Sequence, residues 1–152
     1  MTNQLATMTY IGQKSAMTTT NYYNAFIEVA EDCPANVADI PPQKGNEKTA
    51  ANIQFEMIFD NPYTYTSDDV LFQVFAEKNK ITSNSLVTEK EKFFSKGQPC
   101  FRASPLTKRY GWGVHSNAEG RIAIHAVESE EYRNFLHDKS LMHVKAMRSK
   151  RV

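Results

Sequence analysis

The chain has 152 residues, of which 41% are hydrophobic and 23% charged, and its formal net charge is +1. This length suits one domain with a hydrophobic core and is too short for two ordinary ones. The composition excludes collagen-like, coiled-coil and strongly disordered chains. No apolar run approaches the roughly 18 residues of a membrane span, and residues 1–17 lack the apolar core of a secretory signal. We therefore expect a cytoplasmic protein without a membrane partner.

Charge is distributed unevenly along the chain. Residues 1–76 contain three Lys and nine Asp or Glu, whereas residues 77–152 contain 15 Lys or Arg and eight Asp or Glu. Either the two halves pack together and neutralise each other, or the second half presents a separate basic surface. Residues 144–152 hold four basic side chains and no acidic one, which predicts a solvated basic tail at residues 148–152.

The first half of the chain predicts a strand followed by helices. Residues 1–17 show no sustained period and are predicted to form a mobile leader before one domain at residues 18–147. Apolar and polar side chains alternate from Tyr22 to Ala30, which is typical of a strand. The prolines of residues 34–47 favour a long surface loop.

Capping residues predict three helices in the middle of the chain. Thr49 precedes a segment that ends before Asn61-Pro62 and is better suited to a helix than to the competing strand. Ser67, followed by two Asp residues, caps a second helix that runs to about Asn79. Thr88 starts a third one, which Gly97 in a left-handed conformation and then a proline would terminate.

Strands dominate the last third of the prediction. They are expected at residues 100–103, 112–116, 121–128 and 141–147, with a turn at residues 117–120 that makes the second and third a hairpin. Ser129 caps one more helix between the last two strands. Helices that cluster before a run of strands predict an α+β fold, with a mostly antiparallel sheet of about four or five strands and helices packed on one face.

The segment from Arg102 to Trp112 is the best candidate for a binding site. It combines cations, which suit phosphate or carboxylate groups, with aromatic rings that can stack on a base. We expect it to bind an anionic ligand, either a nucleotide or a nucleic acid. The candidate ligand-binding residues are Arg102, Lys108, Arg109, Tyr110, Trp112 and His115. In the competing interpretation, Trp112 fills the core while Lys108 and Arg109 point to water.

Two other functions remain open at this point. A small enzyme could use His115 or Cys100, and His125 joins His115 only if the hairpin register puts both on one face. The histidine and cysteine spacings match no metal motif, so we predict no metal and no cofactor. Alternatively, an aromatic content of 11% and oppositely charged halves favour protein interaction or a homo-oligomer.

Four stretches of the chain carry a resemblance. They are T-N-Y-Y-N-A-F-I-E-V-A-E-D-C-P from Thr20, N-P-Y-T-Y-T-S-D-D-V-L-F from Asn61, the central residues 93–117, and V-K-A-M-R-S-K-R from Val144. Together they resemble a family of small bacterial proteins described only as a domain of unknown function. The resemblance covers roughly residues 18–151 and implies a bacterial, cytosolic, single-domain protein. It implies no activity, cofactor or catalytic residue.

Overall fold

A four-stranded mixed sheet forms the centre of the computed structural model, which describes residues 18–150. The strands are β1 (Ala25–Glu28), β2 (Trp112–Ser116), β3 (Ile122–Ala126) and β4 (Met142–Lys145). They lie in the order β3-β2-β1-β4, in which β1 pairs with β4 in parallel and the other two pairings are antiparallel. The predicted α+β class and number of strands are confirmed, and the parallel pair makes the sheet mixed. The proposed leader, residues 1–17, lies outside the described residues.

Five α-helices accompany the sheet within residues 18–150. They are α1 (Ala50–Phe59), α2 (Ser67–Lys78), α3 (Leu86–Phe94), α4 (Pro105–Lys108) and α5 (Glu130–Leu136). Short 3₁₀ helices occupy Ser83–Ser85 and Phe101–Ala103. In the described part of the chain no helix is long and apolar enough to cross a membrane.

Local capping explains where several helices begin. The Thr49 hydroxyl accepts a hydrogen bond from the Asn52 N–H, and the Asn52 side chain accepts one from the Thr49 N–H, which confirms the predicted cap of α1. The cap of α2 is Thr66 rather than Ser67, since its hydroxyl accepts from the N–H of Asp69. The start of α3 lies at Leu86, two residues before the predicted Thr88. Ser129 caps α5 as expected.

Two strand predictions need correction. The strand expected at residues 100–103 is a 3₁₀ helix, because the Cys100 side chain and carbonyl accept hydrogen bonds from the next residues along the chain. The first strand is shorter than the predicted residues 22–30, because Asn24 takes a left-handed φ of 49° just before it.

Gly97, which was predicted to end the third helix in a left-handed conformation, does not have a positive φ. Gly120 in the hairpin turn does, with a φ of 80°.

The main core lies on the sheet face that carries α1, α2 and α4. Side chains of Ile27, Val114 and Ile122 point from the strands into this core, and each is at most 2% exposed. Phe55, Ile58, Val70 and Leu106 meet them from the helices. Burial of such side chains is worth roughly 1.5–3 kcal/mol each.

The opposite face of the sheet is covered by α5, so the prediction that all helices pack on one face is wrong. Tyr132 meets the ring of Phe26 edge-on with 5.0 Å between the ring centres, and Phe135 stacks on the same ring at 5.3 Å. The reason is topological. Strands β3 and β4 lie at opposite edges of the sheet, and the connection between them crosses this face through α5.

The close approach of α5 requires a glycine in β2. A Cβ on Gly113 would lie 2.6 Å from Cε2 of Tyr132 and 2.7 Å from Cζ of Phe26. We therefore expect Gly113→Ala to lower the free energy of unfolding by ~1–3 kcal/mol through overpacking. Urea denaturation measures the change. Gly97→Ala is the matched control, since a Cβ there meets no atom within 4 Å, and equal losses in the two variants would contradict the packing of α5.

Candidate functional site

The segment from Arg102 to Trp112 does not form one continuous surface. Trp112 is only 7% exposed, and its indole N–H donates to the carbonyl of Asp39 at 2.8 Å. Its ring contacts Phe55 and Phe59, so it packs with the core and offers little surface for a base to stack on. Tyr110 is half-buried against the same core.

The three cations of the segment lie in two places. Lys108 ends α4 and Arg109 is exposed directly after it. Arg102 belongs to the preceding 3₁₀ helix and contacts the outer edge of β4 and the residues after it. Its Nε donates to the carbonyl of Lys145 at 2.7 Å, and its carbonyl accepts from the N–H of Met147 at 2.8 Å. These two bonds hold the Arg102 guanidinium beside the C-terminal residues.

A basic cleft results from this contact. Its volume is about 630 Å³ and its lining residues are Glu31, Arg102, Lys145, Ala146, Met147, Arg148 and Lys150. Four of them are cationic and one is acidic, so the cleft carries net positive charge. Lys108, Arg109, Tyr110 and Trp112 do not line it. The structure thus brings Arg102 together with the basic end of the chain, and not with the other candidate residues.

The acidic pair after β1 organises the basic cleft. Glu31 accepts from Nζ of Lys145 at 3.0 Å and from Nη1 of Arg148 at 2.9 Å, and these partners, Lys145 first, lower the pKa of the Glu31 carboxyl. Asp32 accepts from the N–H groups of residues 149 and 150 at 2.9 and 3.0 Å, and the bond from residue 150 contributes most to lowering its pKa. Residues 148–150 of the predicted solvated tail are exposed, and these bonds also tether them to the acidic pair. The acidic and basic halves pack together and form ion pairs.

A second cluster lies on the sheet face that α5 covers. Gly113 pairs with His125 and His115 pairs with Ala123, so both histidines point to the same face. The register that the sequence left open is thereby settled. The hydroxyl of Tyr63 lies 2.7 Å from Nδ1 of His115 and 3.4 Å from Nε2 of His125.

Backbone pairing places Tyr63 at these histidines. Its N–H donates to the carbonyl of Ile122 at 2.8 Å, and the N–H of Ile122 donates to the carbonyl of Tyr65 at 2.9 Å. Tyr63 itself has a φ of 58°, a conformation rare for a residue with a bulky side chain. Sequence reasoning missed this residue, and its one local signal was the preceding Asn-Pro turn.

The two histidines are half-buried under Phe135. Phe135 stacks on His115 with 4.2 Å between the ring centres and 20° between the planes, and it contacts His125 at 4.8 Å. Burial lowers the pKa of both imidazoles. The charge of His115 adds to the lowering at His125, while the carboxylate of Asp138 opposes it at His115. Burial also raises the pKa of the Tyr63 phenol.

Cys100 lies apart from these histidines. Its Sγ is 3.4 Å from the Tyr22 hydroxyl, whose pKa is raised to about 12, first by burial and then by the thiol. It lines an apolar groove of about 240 Å³ on the α2 and α3 side of the molecule, away from the α5 face that holds His115. The structure therefore does not pair a thiol with a histidine. Neither Cys100 nor Cys33 is in a disulfide within the described residues.

Comparison with known proteins places this chain in one family. A family model described as a family of unknown function, DUF6157, matches residues 17–152, and the chain belongs to that family. No curated protein and no solved structure matches the chain. The resemblance noted in the sequence to a domain of unknown function is thus confirmed.

Half-burial of His115 and His125 predicts a loss of stability in mild acid. Their folded pKa values lie below the ordinary value of 6.5, so the unfolded chain takes up protons first as the pH falls. Stability from these groups is therefore complete above about pH 6.5 and is lost as the pH falls below it, toward their folded pKa values. Urea denaturation between pH ~7.5 and ~5 measures the slope.

The control for this prediction uses the same chain. A His115→Gln/His125→Gln variant is expected to show a flatter pH dependence over that range, whereas His137→Gln, which changes an exposed histidine, is expected to keep the parent slope. Parallel curves for the double variant and the parent would contradict the assignment to these two imidazoles.

Proposed function

We propose that this protein binds an anionic ligand, a nucleotide or a nucleic acid, in the basic cleft. The observation that carries the proposal is the convergence of Arg102, Lys145, Arg148 and Lys150 on one concavity of about 630 Å³. This volume falls within the roughly 300–1,000 Å³ of ordinary ligand sites. The candidate site is thereby narrowed to the Arg102 end of the 102–112 segment and extended to the C-terminal residues.

Two of the four cations are available for a ligand. Within residues 18–150, carboxylates form ion pairs with Lys145 and Arg148, and none is within 4 Å of the charged nitrogens of Arg102 or Lys150. The Arg102 guanidinium is held through Nε, which leaves its two terminal nitrogens for a bidentate contact with phosphate or carboxylate. Because this bond already holds the guanidinium in place, less side-chain entropy is lost when a ligand binds.

Charge dominates the recognition in this proposal. Among residues 18–150 no aromatic side chain lines the cleft, so stacking on Tyr110 and Trp112 is not available to a ligand there. Phosphate contacts of this kind are largely independent of base sequence. They weaken as the salt concentration rises, because binding releases counterions from the phosphates and this release is less favourable at high salt. A phosphate-rich ligand without strong base preference fits these features. We place the activity in the bacterial cytoplasm, as the resemblance to the family implies.

Titration of the full-length protein with a labelled single-stranded oligonucleotide, ATP and pyrophosphate tests the proposal. Binding is expected at low salt, with a log–log slope against salt concentration of about −0.7 per phosphate neutralised on a single strand. Arg102→Ala/Lys150→Ala should weaken binding by about tenfold or more, the loss expected for charge-assisted bonds of roughly 1.5–3 kcal/mol.

The matched control keeps the same change in charge. Lys108→Ala/Arg109→Ala likewise removes two positive charges, but both of these residues lie outside the cleft. It is expected to bind within about twofold of the parent, as suits a change in long-range attraction alone. No binding of any probe at low salt rejects the function, and equal weakening by both double variants rejects the cleft as its site.

A further inference from the structure

Three donor atoms from three parts of the chain meet at one point near the edge of the sheet. The oxygen of Tyr63 comes from the loop between α1 and α2, Nδ1 of His115 from β2, and Nε2 of His125 from β3. A hydroxyl carries one hydrogen, so it donates to one imidazole nitrogen and accepts from the other. Two imidazole nitrogens within 3.4 Å of one oxygen form a compact set of donor atoms for one bound ion.

The scaffold around these donors is rigid. His115 and His125 are diagonal neighbours on two hydrogen-bonded strands, a spacing at which long side chains meet. Phe135 packs on both rings and limits their rotation. Tyr63 is fixed by its backbone bond to Ile122. A metal site on strands with packed ligands is better ordered than one on mobile loops.

The electrostatic surroundings favour a cation at this position. Burial lowers the pKa of both imidazoles, and the negative charges of Asp138 at His115 and of Glu131 at His125 partly oppose this lowering. The same negative charges also favour a metal cation at this position. Among residues 18–150 no three His, Cys, Asp or Glu side chains form a group that could hold a metal ion. The third donor atom beside these two imidazoles is the Tyr63 oxygen.

We propose that His115, His125 and Tyr63 bind one divalent transition-metal ion of the zinc type. Imidazole nitrogens suit Zn²⁺, Ni²⁺ and Cu²⁺, and bind them at roughly 2.0–2.1 Å. Three protein donors leave the fourth tetrahedral position to water, the arrangement of catalytic rather than structural zinc sites. This site shares no residue with the basic cleft, so it stands or falls independently of the anion-binding function.

Zinc titration of the tag-free, full-length protein tests the site. Calorimetry is expected to show one Zn²⁺ per chain, and NMR of the imidazole nitrogens should show the largest shifts at Nδ1 of His115 and Nε2 of His125. The variants His115→Gln and His125→Gln should each weaken binding by more than about tenfold, since even the loss of a residue that supports a ligand costs 10–100-fold. Tyr63→Phe should weaken it to a lesser extent.

The chain contains its own controls. All four histidines are at positions 115, 125, 137 and 143, so His137→Gln/His143→Gln removes the other two and is expected to keep the parent affinity. Urea denaturation without metal checks that each variant is folded. Absence of binding at millimolar Zn²⁺, binding lost only in the His137/His143 variant, or unchanged binding in Tyr63→Phe would each overturn the three-donor site.

Discussion

Parallel pairing of β1 with β4 brings the end of the chain back to its first strand. In this register Glu28 lies opposite Lys145, and the N–H of Ala146 donates to the carbonyl of Glu28 at 2.8 Å. The residues that follow β4 therefore run beside Glu31 and Asp32, which follow β1. Arg102 contacts the other side of this strand and its continuation. The basic cleft exists because of this pairing, since its cations come from two segments about 43 residues apart.

The pairing of β4 with β1 also explains why α5 covers the other face of the sheet. A chain that leaves β3 at one edge and forms β4 beside β1 at the other edge must cross both β2 and β1, and α5 makes the crossing. Gly113 permits the contact, and the Tyr132 hydroxyl secures it by accepting from the N–H of Val29 at 2.9 Å. Burial raises the pKa of Tyr132 to about 12, so this anchor is neutral at all ordinary pH values. Phe135 then lies over the two histidines.

The ion pairs of the cleft fix the position of the C-terminal residues but contribute little to the stability of the fold. Glu31, Lys145 and Arg148 are each about half exposed, and pairs of this kind contribute at most about 1 kcal/mol in water. Their effect is geometric, because one carboxylate holds two cations of the C-terminal residues near Arg102. The acidic first half and the basic second half of the chain thus attract each other through these ion pairs. The cations in excess leave a net positive charge on the basic cleft.

Local chemistry in the sequence determined the caps at Thr49 and Ser129, the hairpin turn closed by Gly120, and the α+β class. In the caps and the turn the partners lie within a few residues, so the local pattern contains the whole interaction, and the α+β class follows from the order of the elements along the chain. Residues 100–103 show where such local prediction fails. Their short, mainly apolar sequence is typical of a strand, but the Cys100 side chain accepts a hydrogen bond from the Arg102 N–H and the segment forms a 3₁₀ helix. The tertiary structure alone decided that Trp112 packs inside, that Arg102 joins the C-terminal residues, and that Tyr63 meets His115 across 52 residues of sequence. Contacts between distant segments depend on strand order and crossover, and no local spacing of residues encodes these.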